Sequence, residues 1–369
     1  MNPDKKKIIF ITVRSDLGGG PYHVDLLLKN LSDFFDFYIA APLNKPYGFK
    51  WREQFGMEKF FELPFRSFNI TSFFRLILFI RKNSIGIIHS HGKGAGLYSR
   101  LVKLFVPKIK VIHTFHGVHI REYNFLTRKI YILLERLLSR LTNLYINVSR
   151  GEKEVCLHHK IFNKKKSVVV YNAIGLLESS SVNKTEIRRK LSLPEEKFLI
   201  ISVLRFSYQK NLPLLISIAE QLNQNERFSF VIIGDGEQRE MVEELIHAKK
   251  ISNIKLLGFR NNISQYLLAS DIYLSTSFWE GMPYTLIEAA GCGLPIIATN
   301  VIGNDEVVSD GENGYLFELN NPGVAVKKIL ELESSPVQKK IMGENSLRIV
   351  KDNFQLSTMI DKMKVIYNS

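Results

Sequence analysis

The sequence predicts two Rossmann-like, doubly wound α/β domains in tandem, facing each other across a cleft. Short β-branched runs alternate with helix-spaced segments from one end of the chain to the other. These runs are apolar throughout rather than alternating, which is typical of parallel strands covered on both faces. The length of 369 residues suits two domains rather than one.

The first domain is predicted over residues 1–175. Its strands are expected at residues 6–13, 37–41, 85–90, 110–115, 144–148 and 167–171. Gly18, Gly19 and Gly20 follow the first strand and lead into helical spacing over residues 22–31. Residues 178–185 are polar and turn-rich, and they predict a linker or an exposed loop.

The second domain is predicted over residues 196–350. Its strands are expected at residues 198–204, 228–234, 254–258, 271–275 and 295–299. Three helices are expected to end the chain, and residues 351–369 are expected to pack back on the first domain as a helix. In such folds ligands bind where the carboxyl ends of strands and the N-termini of helices meet.

The positive charge lies in the first half of the chain. The formal net charge is +14, from 50 Lys/Arg against 36 Asp/Glu. Residues 1–172 hold 29 Lys/Arg against 12 Asp/Glu, and residues 173–369 hold the other 21 against 24. This asymmetry predicts contact with a polyanion, either an anionic membrane surface or nucleic acid. A basic domain with no such partner is the alternative.

Composition excludes several other classes of protein. Two cysteines are too few for a disulfide scaffold. The apolar runs are shorter than the ~18 residues that a membrane-spanning helix needs. The N-terminal segment has no signal-peptide pattern, because its apolar stretch covers only residues 8–13. We therefore expect a cytoplasmic protein.

Two glutamates within residues 275–299 suit the recognition of an activated sugar. Glu280 lies in a loop after a strand, and Glu288 lies eight positions later, about two turns inside a helix. Pro283 suits the first turn of that helix, whose N-terminus attracts a diphosphate. Carboxylates accept hydrogen bonds from sugar hydroxyls. Taken alone, the spacing favours two unrelated glutamates, but the surrounding string favours a site.

That string, STSFWEGMPYTLIEAAGCGLPIIAT, resembles the donor-site signature of the retaining GT-B glycosyltransferases of family GT4. Residues 204–211, LRFSYQKN, resemble the family's G-R-L-x-x-x-K-N segment, with Leu204 where the family has glycine. Residues 232–236, 257–259 and 269–272 resemble its I-x-G-x-G turn, its L-G-x turn and its A-D-I strand entry. Residues 17–20 resemble its glycine loop, and residues 114–117, TFHG, resemble its T-x-H-G segment.

The resemblance implies roles for residues of the second domain. Arg205 and Lys210 would hold the donor diphosphate and stabilise the charge that grows as the nucleotide leaves. Glu280 would accept hydrogen bonds from donor-sugar hydroxyls, and Glu288 would hold the ribose hydroxyls. The donor would also contact backbone near Gly281, Met282 and Pro283, and its base would lie beside Gly258 and Phe259.

The resemblance implies two further contacts from the first domain. His116 would face the transferred sugar and its phosphate, so the catalytic set is Glu280, His116, Arg205 and Lys210. Gly18, Gly19 and Gly20 would let the backbone approach a phosphate or an acceptor without a Cβ. The histidines at 89, 91, 113, 116 and 119 lack an Asp/Cys pattern at metal spacing, so we expect no metal and no cofactor. Asp235-Gly-Glu237 is interpreted as a turn.

The predicted function is that of a retaining hexosyltransferase of class EC 2.4. The donor would be a nucleotide-diphosphate sugar, with UDP favoured over GDP. The acceptor would be a polyprenyl-diphosphate-linked saccharide of a cell-surface polysaccharide, such as a lipopolysaccharide or a capsule. The basic first domain would bind this acceptor at the inner face of the membrane, on an anionic surface, without nucleic acid.

Some alternatives remain open on sequence alone. The apolar, basic segments 71–82 and 125–141 could lie in a membrane interface, or they could be helices packed on the sheet. A sugar-nucleotide epimerase shares the two-domain architecture and would act without an acceptor. A non-enzymatic polyanion-binding protein would explain the basic half of the chain, but it would leave residues 275–299 unexplained.

Overall fold

A computed structural model describes residues 5–118, 120, 123–175 and 183–369. The chain divides into two compact units. The first unit contains the residues up to Asn172 and the C-terminal residues from Ser357, and the second runs from Ala173 to Leu356. The predicted boundaries at residues 175 and 350 lie a few residues from this division, whereas the second unit begins well before residue 196, where the second domain was predicted to start.

The first unit is built on a parallel sheet. Over the described residues, the sheet has seven strands in the order β3-β2-β1-β4-β5-β6-β7. The strands are β1 (Lys7–Thr12), β2 (Asp36–Ala41), β3 (Phe60–Glu62), β4 (Ile87–His91), β5 (Lys110–Thr114), β6 (Leu144–Asn147) and β7 (Ser167–Val169). Every pairing between them is parallel.

Helices cover both faces of this sheet. They are α1 (Gly19–Leu31), α2 (Tyr47–Phe55), α3 (Ile70–Lys82), α4 (Lys93–Phe105), α5 (Phe125–Leu138) and α6 (Arg150–His158), and α14 (Leu356–Asn368) joins them from the end of the chain. Crossovers between parallel strands are right-handed. The strand order changes direction at β1, so α1 and α2 lie on one face, whereas α3, α4 and α5 lie on the other.

The second unit repeats the same construction. Its described part holds a six-stranded parallel sheet in the order β10-β9-β8-β11-β12-β13. The strands are β8 (Phe198–Val203), β9 (Phe228–Ile233), β10 (Ile254–Gly258), β11 (Ile272–Ser275), β12 (Ile296–Thr299) and β13 (Gly314–Phe317). The helices are α7 (Lys184–Lys190), α8 (Leu212–Gln221), α9 (Arg239–Ala248), α10 (Ile263–Ala269), α11 (Tyr284–Gly291), α12 (Pro322–Ser334) and α13 (Pro336–Asn353).

These two doubly wound sheets confirm the predicted fold class. The continuous apolar runs form strands because both faces of each sheet are buried; every residue of β4 and β9 is buried. Two short strands, β3 and β13, were missed. Residues 183–185 of the predicted linker were also wrongly assigned, because the Asn183 side chain accepts hydrogen bonds from the backbone of Thr185 and Glu186 and so begins α7. Residues 178–182 of that linker lie outside the described residues.

A buried aspartate organises the entry to β11. The Asp271 carboxylate lies 2.7 Å from the Arg188 guanidinium of α7 and 2.8 Å and 3.0 Å from the ammonium groups of Lys184 and Lys339. Burial alone would raise the pKa of Asp271, but the ammonium groups of Lys184 and Lys339, together with the Leu199 N–H, outweigh it and hold the pKa well below its ordinary value. The aspartate of the A-S-D-I segment therefore has a structural role, because its ion pairs connect α7 and α13 to the sheet.

No helix in the described part of the chain combines the length and the apolar character needed to cross a bilayer.

Candidate functional site

The loops after β8 and β9 are joined backbone to backbone at the carboxyl edge of the second sheet. Leu204 N–H donates to Ile233 O at 3.0 Å, and Phe206 N–H donates to Asp235 O at 2.9 Å. Gly234, with φ 137°, lies so close that a Cβ there would be 1.8 Å from Leu204 O. Residues 232–236, which resemble I-x-G-x-G, therefore lie where two backbone segments cross, and position 234 has no room for a side chain.

This crossing places Arg205 beside an acid. The guanidinium Nη2 lies 3.1 Å from Glu237 Oε2, and about a third of the Arg205 side chain is exposed. The turn at Asp235-Gly-Glu237 has the predicted conformation, with Asp235 Oδ1 accepting from Gly236 N–H at 2.8 Å. Sequence analysis did not anticipate that its third residue would pair with Arg205. Leu204, where the family has glycine, is buried in the core of the unit.

Lys210 and Glu280 form an ion pair at the same edge. Lys210 ends a short 3₁₀ turn after β8, and Glu280 follows β11, the neighbouring strand. The ammonium lies 2.5 Å from Glu280 Oε1. Phe278 N–H donates to Gln209 O at 2.8 Å, and Thr276 Oγ1 donates to Lys210 O at 3.0 Å, so the two loops hold the pair in register.

The Glu280 carboxylate is buried and heavily hydrogen-bonded, with only 8% of the residue exposed. Ser277 Oγ donates to Oε1 at 2.6 Å, and Gln209 Nε2 donates to Oε2 at 3.3 Å. A buried carboxylate with fixed donors keeps one orientation. Such a group is preorganised to accept hydrogen bonds from a ligand's hydroxyls.

The segment after Glu280 is buried and closely packed. Gly281, Met282 and Pro283 are all buried, and Pro283 directly precedes α11 rather than lying in its first turn as predicted. Gly303, with φ 88°, packs against this segment, since a Cβ there would lie 2.5 Å from Gly281 O. The loop after β12 therefore supports the glutamate loop, a contact that sequence analysis missed.

Glu288 lies on α11 and is partly buried, but it lies just over one turn from the start of the helix at Tyr284 rather than about two turns as predicted. Burial raises the pKa of the Tyr273 phenol, and the charges of Glu280 and Glu288 act in the same direction. Tyr273 lies on β11, and its hydroxyl donates to Val203 O at 2.9 Å. This tyrosine, which the sequence did not single out, therefore lies within electrostatic reach of both glutamates.

Gly258 is the last residue of β10 at the same edge, and Phe259 follows it. Gly258 has φ 67° and accepts a hydrogen bond from Gly234 N–H at 3.0 Å, while the Phe259 ring is half exposed. The structure thus places Arg205, Lys210, Gly258, Phe259 and Glu280 after the carboxyl ends of strands in one sheet. Glu288 lies on the helix that follows.

In the first unit, histidines cluster at the carboxyl edge of the sheet. His91 Nδ1 lies 3.0 Å from His116 Nε2, and the His23 ring of α1 packs against His116 with ring centroids 4.9 Å apart. One ligand atom from each of these three histidines lies within 4.8 Å of the others, a grouping that could hold a metal ion. His23 was not among the histidines considered from the sequence, for which no metal was expected, and His119 of that set lies outside the described residues.

Burial keeps these histidines neutral. It lowers the pKa of His23 to about 4 and holds the pKa values of His91 and His116 well below their ordinary value of 6.5. His89 is also buried. Its Nδ1 lies 2.7 Å from the Tyr367 hydroxyl of α14, and its Nε2 lies 2.9 Å from Thr114 Oγ1. The last helix, α14, therefore contacts His89 through Tyr367.

The loop that carries His116 is fixed by an acid of α6. His116 has φ 58°, and Gly117 N–H donates to Glu152 Oε2 at 2.5 Å, while Val148 N–H donates to Oε1 at 3.2 Å. Gly20, at the start of α1, faces this loop, since a Cβ there would lie 3.8 Å from His116 Cδ2. Gly19 and Gly20, predicted as part of a glycine loop, are instead the first residues of α1, and Gly20 lies beside His116 within the first unit.

Comparison with known proteins agrees with the residue pattern. The family model for glycosyl transferases group 1 matches residues 183–348, and the model for glycosyltransferase family 4 matches residues 17–176. The chain is 29% identical over 310 residues to the UDP-Gal:alpha-D-GlcNAc-diphosphoundecaprenol alpha-1,3-galactosyltransferase of Escherichia coli, covering 81% of this chain and 79% of that protein. It is 23% identical to the O-antigen biosynthesis glycosyltransferase WbnH of Escherichia coli, covering 87% and 89%.

Solved structures show the same fold. Anabaena HepE, in complex with UDP and glucose, superposes with a TM-score of 0.85 at 18% identity, over 98% of this chain and 99% of that one. At this level of identity the similarity shows the fold alone.

Proposed function

Because the chain belongs to the GT4-type glycosyltransferases and has the GT-B fold, we propose that it transfers a hexose from a nucleotide-diphosphate sugar to a polyprenyl-diphosphate-linked saccharide, with retention of anomeric configuration. UDP is favoured as the nucleotide. The E. coli galactosyltransferase takes UDP-Gal and a diphosphoundecaprenol acceptor, and WbnH acts in O-antigen biosynthesis. These names support the assembly of a cell-surface polysaccharide.

The Lys210–Glu280 pair is the observation that carries this proposal. An ammonium has three donors, so Lys210 can hold Glu280 and a phosphate oxygen together. Glu280, held in one position by Lys210 and Ser277, would accept hydrogen bonds from the sugar hydroxyls. Arg205, about a third exposed, would add a second cation at the diphosphate. As the nucleotide leaves, negative charge grows on its phosphate, and both cations stabilise it.

The remaining residues would complete the donor site. Glu288 would hold the ribose hydroxyls, and Gly258 and Phe259 would border the base. Gly281, Met282 and Pro283 would line the sugar. From the first unit, Gly18, Gly19 and Gly20 would approach the donor phosphate, and His116 would face the transferred sugar. Because burial keeps the pKa of His116 well below its ordinary value, the neutral ring can donate from one nitrogen and accept at the other.

The transfer step needs no enzyme nucleophile. The bond between the anomeric carbon and the diphosphate oxygen breaks, and a bond from the acceptor hydroxyl oxygen forms on the same face. The acceptor proton passes to the departing phosphate oxygen. The products are the nucleoside diphosphate and the extended saccharide.

We further propose that the reaction is independent of metal, because Lys210 and Arg205 would meet the charge of the diphosphate. Transfer should then continue unchanged after the protein and substrates are treated with EDTA. Activity that disappears with EDTA and returns with Mg²⁺, Mn²⁺ or Zn²⁺ would contradict this part of the proposal.

The proposed reaction is tested with the purified chain, a UDP-hexose and a synthetic N-acetylglucosamine linked to a lipid diphosphate. We expect a disaccharide product, and NMR of its new linkage should show the anomeric configuration of the donor. A product of inverted configuration, or no transfer across a panel of UDP- and GDP-sugars, would overturn the proposal. A parallel reaction without acceptor detects epimerisation of the donor.

A further inference from the structure

The outward surfaces of α3, α4 and α5 form one apolar face, here called the α3–α5 face. Its large apolar side chains are between 43% and 66% exposed. They are Phe74 and Leu78 of α3, Leu104 and Phe105 of α4, and Leu126, Ile130, Leu133, Leu134 and Leu137 of α5. The five side chains of α5 recur at intervals of one, three and four residues and fall on a single stripe of the helix.

The three helices form a continuous layer. They follow three successive crossovers and so lie side by side on the same face of the sheet. The Phe105 ring of α4 packs against Phe74 of α3 with ring centroids 5.9 Å apart. On the other side of α4, Arg100 is buried and bonds Glu135 of α5 at 2.5 Å. The exposed apolar side chains therefore belong to one surface rather than to scattered positions.

The charge on this surface has one sign. Glu135 is the sole acid in the three helices (residues 70–82, 93–105 and 125–138), and its charge is buried against Arg100. The exposed cations are Arg75, Arg81 and Lys82 of α3 and Lys129 and Arg136 of α5. The opposite face differs, because α1 carries Asp25, which pairs with Lys50 at 2.6 Å. Within these three helices the exposed charged side chains are therefore all cations, and an apolar surface edged by cations complements an anionic lipid bilayer.

We propose that the α3–α5 face docks on an anionic bilayer, with the α5 stripe inserted among the lipids and the cations at the headgroups. A second copy of the chain fits less well, because a two-fold interface would bring identical cations together. The inference rests on the proposed lipid-linked acceptor and deepens it by naming the surface that meets the membrane.

Docking through α5 would place the membrane near the edge of the first sheet that holds the histidine cluster. The helix begins at Phe125, after the loop that leaves β5 and carries His116. Its N-terminus, which includes the exposed Leu126 and Ile130, therefore lies at the carboxyl edge of the first sheet, the edge that holds the histidine cluster. A bilayer on this face would bring the diphosphate of a lipid-linked acceptor to that edge without lifting its tail from the membrane.

The test is flotation of the full chain with vesicles of equimolar phosphatidylglycerol and phosphatidylethanolamine, or of phosphatidylcholine alone, with no sugar present. Ile130→Glu/Leu134→Glu should weaken binding to the anionic vesicles by about tenfold or more, because two side chains would no longer insert. The matched control Val337→Glu/Ile341→Glu changes an exposed apolar pair of the same spacing on α13, and it should bind like the wild type.

A second variant leaves the apolar stripe intact. Arg75→Glu/Lys129→Glu should reduce the preference for anionic over phosphatidylcholine vesicles by about tenfold. Unchanged flotation of both the Ile130/Leu134 and the Arg75/Lys129 variants would overturn the proposal. A dimer in sedimentation velocity that the Ile130/Leu134 variant dissociates would also overturn it, since the face would then join copies of the chain. Because these assays contain no donor, they are independent of whether the transfer reaction is assigned correctly.

Discussion

At the scale of single residues, Glu280 and Lys210 are bound to each other before any donor arrives. Their atoms lie 2.5 Å apart, and Ser277 and Gln209 hold the same carboxylate. Removing either member of the pair leaves the other buried with reduced compensation. The loss should therefore appear in catalysis and, to a smaller degree, in stability.

Glu280→Ala and Lys210→Ala should each reduce transfer by a hundredfold or more, equivalent to ~3 kcal/mol of transition-state stabilisation. Steady-state kinetics with a UDP-sugar donor measures this loss, and circular dichroism checks that the fold survives. Arg227→Ala is the matched control, because it removes an exposed ion pair with Glu333 in the same unit. Near-normal turnover in either variant would contradict the assigned roles.

The buried histidines predict a dependence of stability on pH. The pKa of His23 is about 4 in the folded chain and 6.5 ordinarily, so the unfolded chain binds more protons between these values. Stability is therefore complete above pH 6.5 and should fall as the pH drops toward 4, by up to ~3 kcal/mol from His23. Urea unfolding across this range measures the slope. His23→Gln should make it shallower, and an identical slope would show that His23 is not buried in its neutral form.

At the scale of elements, the loops that carry the site depend on glycines where backbones cross. Gly234→Ala should destabilise the chain by at least ~3 kcal/mol, because its Cβ would lie 1.8 Å from Leu204 O. Gly311→Ala separates the effect of backbone conformation from that of the clash, since Gly311 also has positive φ but faces open space. Its cost should be ~1 kcal/mol. Thermal unfolding compares the two, and equal losses would refute the crowding at Gly234.

Sequence alone predicted those features that depend on short-range pattern. The strands could be predicted from their apolar runs. The candidate site residues could be singled out because each lies in a local motif; they are Arg205, Lys210 and Glu280. Contacts across the sheet were not readable. Glu237 contacts Arg205, and Gly303 contacts Gly281, only when strands that a helix separates in sequence become neighbours in the sheet. Strands β3 and β13 were missed because each is short and lies at a sheet edge, where the apolar run is weak.

At the scale of the whole molecule, the charge asymmetry coincides with the division into units. The part of the first unit up to Asn172 holds 29 Lys/Arg against 12 Asp/Glu, whereas residues 173–369 hold 21 against 24. A basic unit suits the anionic surface proposed for the acceptor, and Arg205 and Lys210 supply local positive charge for the proposed donor within a weakly acidic unit.

Donor binding should stabilise the chain by mass action. A UDP-sugar at ~100 times its dissociation constant adds ~2.7 kcal/mol to the free energy of unfolding. A thermal-shift panel of UDP- and GDP-sugars should show the larger shift with UDP-sugars. A larger shift with GDP-sugars would overturn the preferred nucleotide while leaving the transferase assignment intact.

Calorimetric titration of a UDP-sugar into the wild type and into Arg205→Ala/Lys210→Ala tests the donor site most directly. The double variant should lose affinity by a hundredfold or more, since two cations at the diphosphate contribute ~3 kcal/mol, while Arg227→Ala should bind as the wild type does. If the double variant binds the UDP-sugar with unchanged affinity, the carboxyl edge of the second sheet does not hold the donor diphosphate.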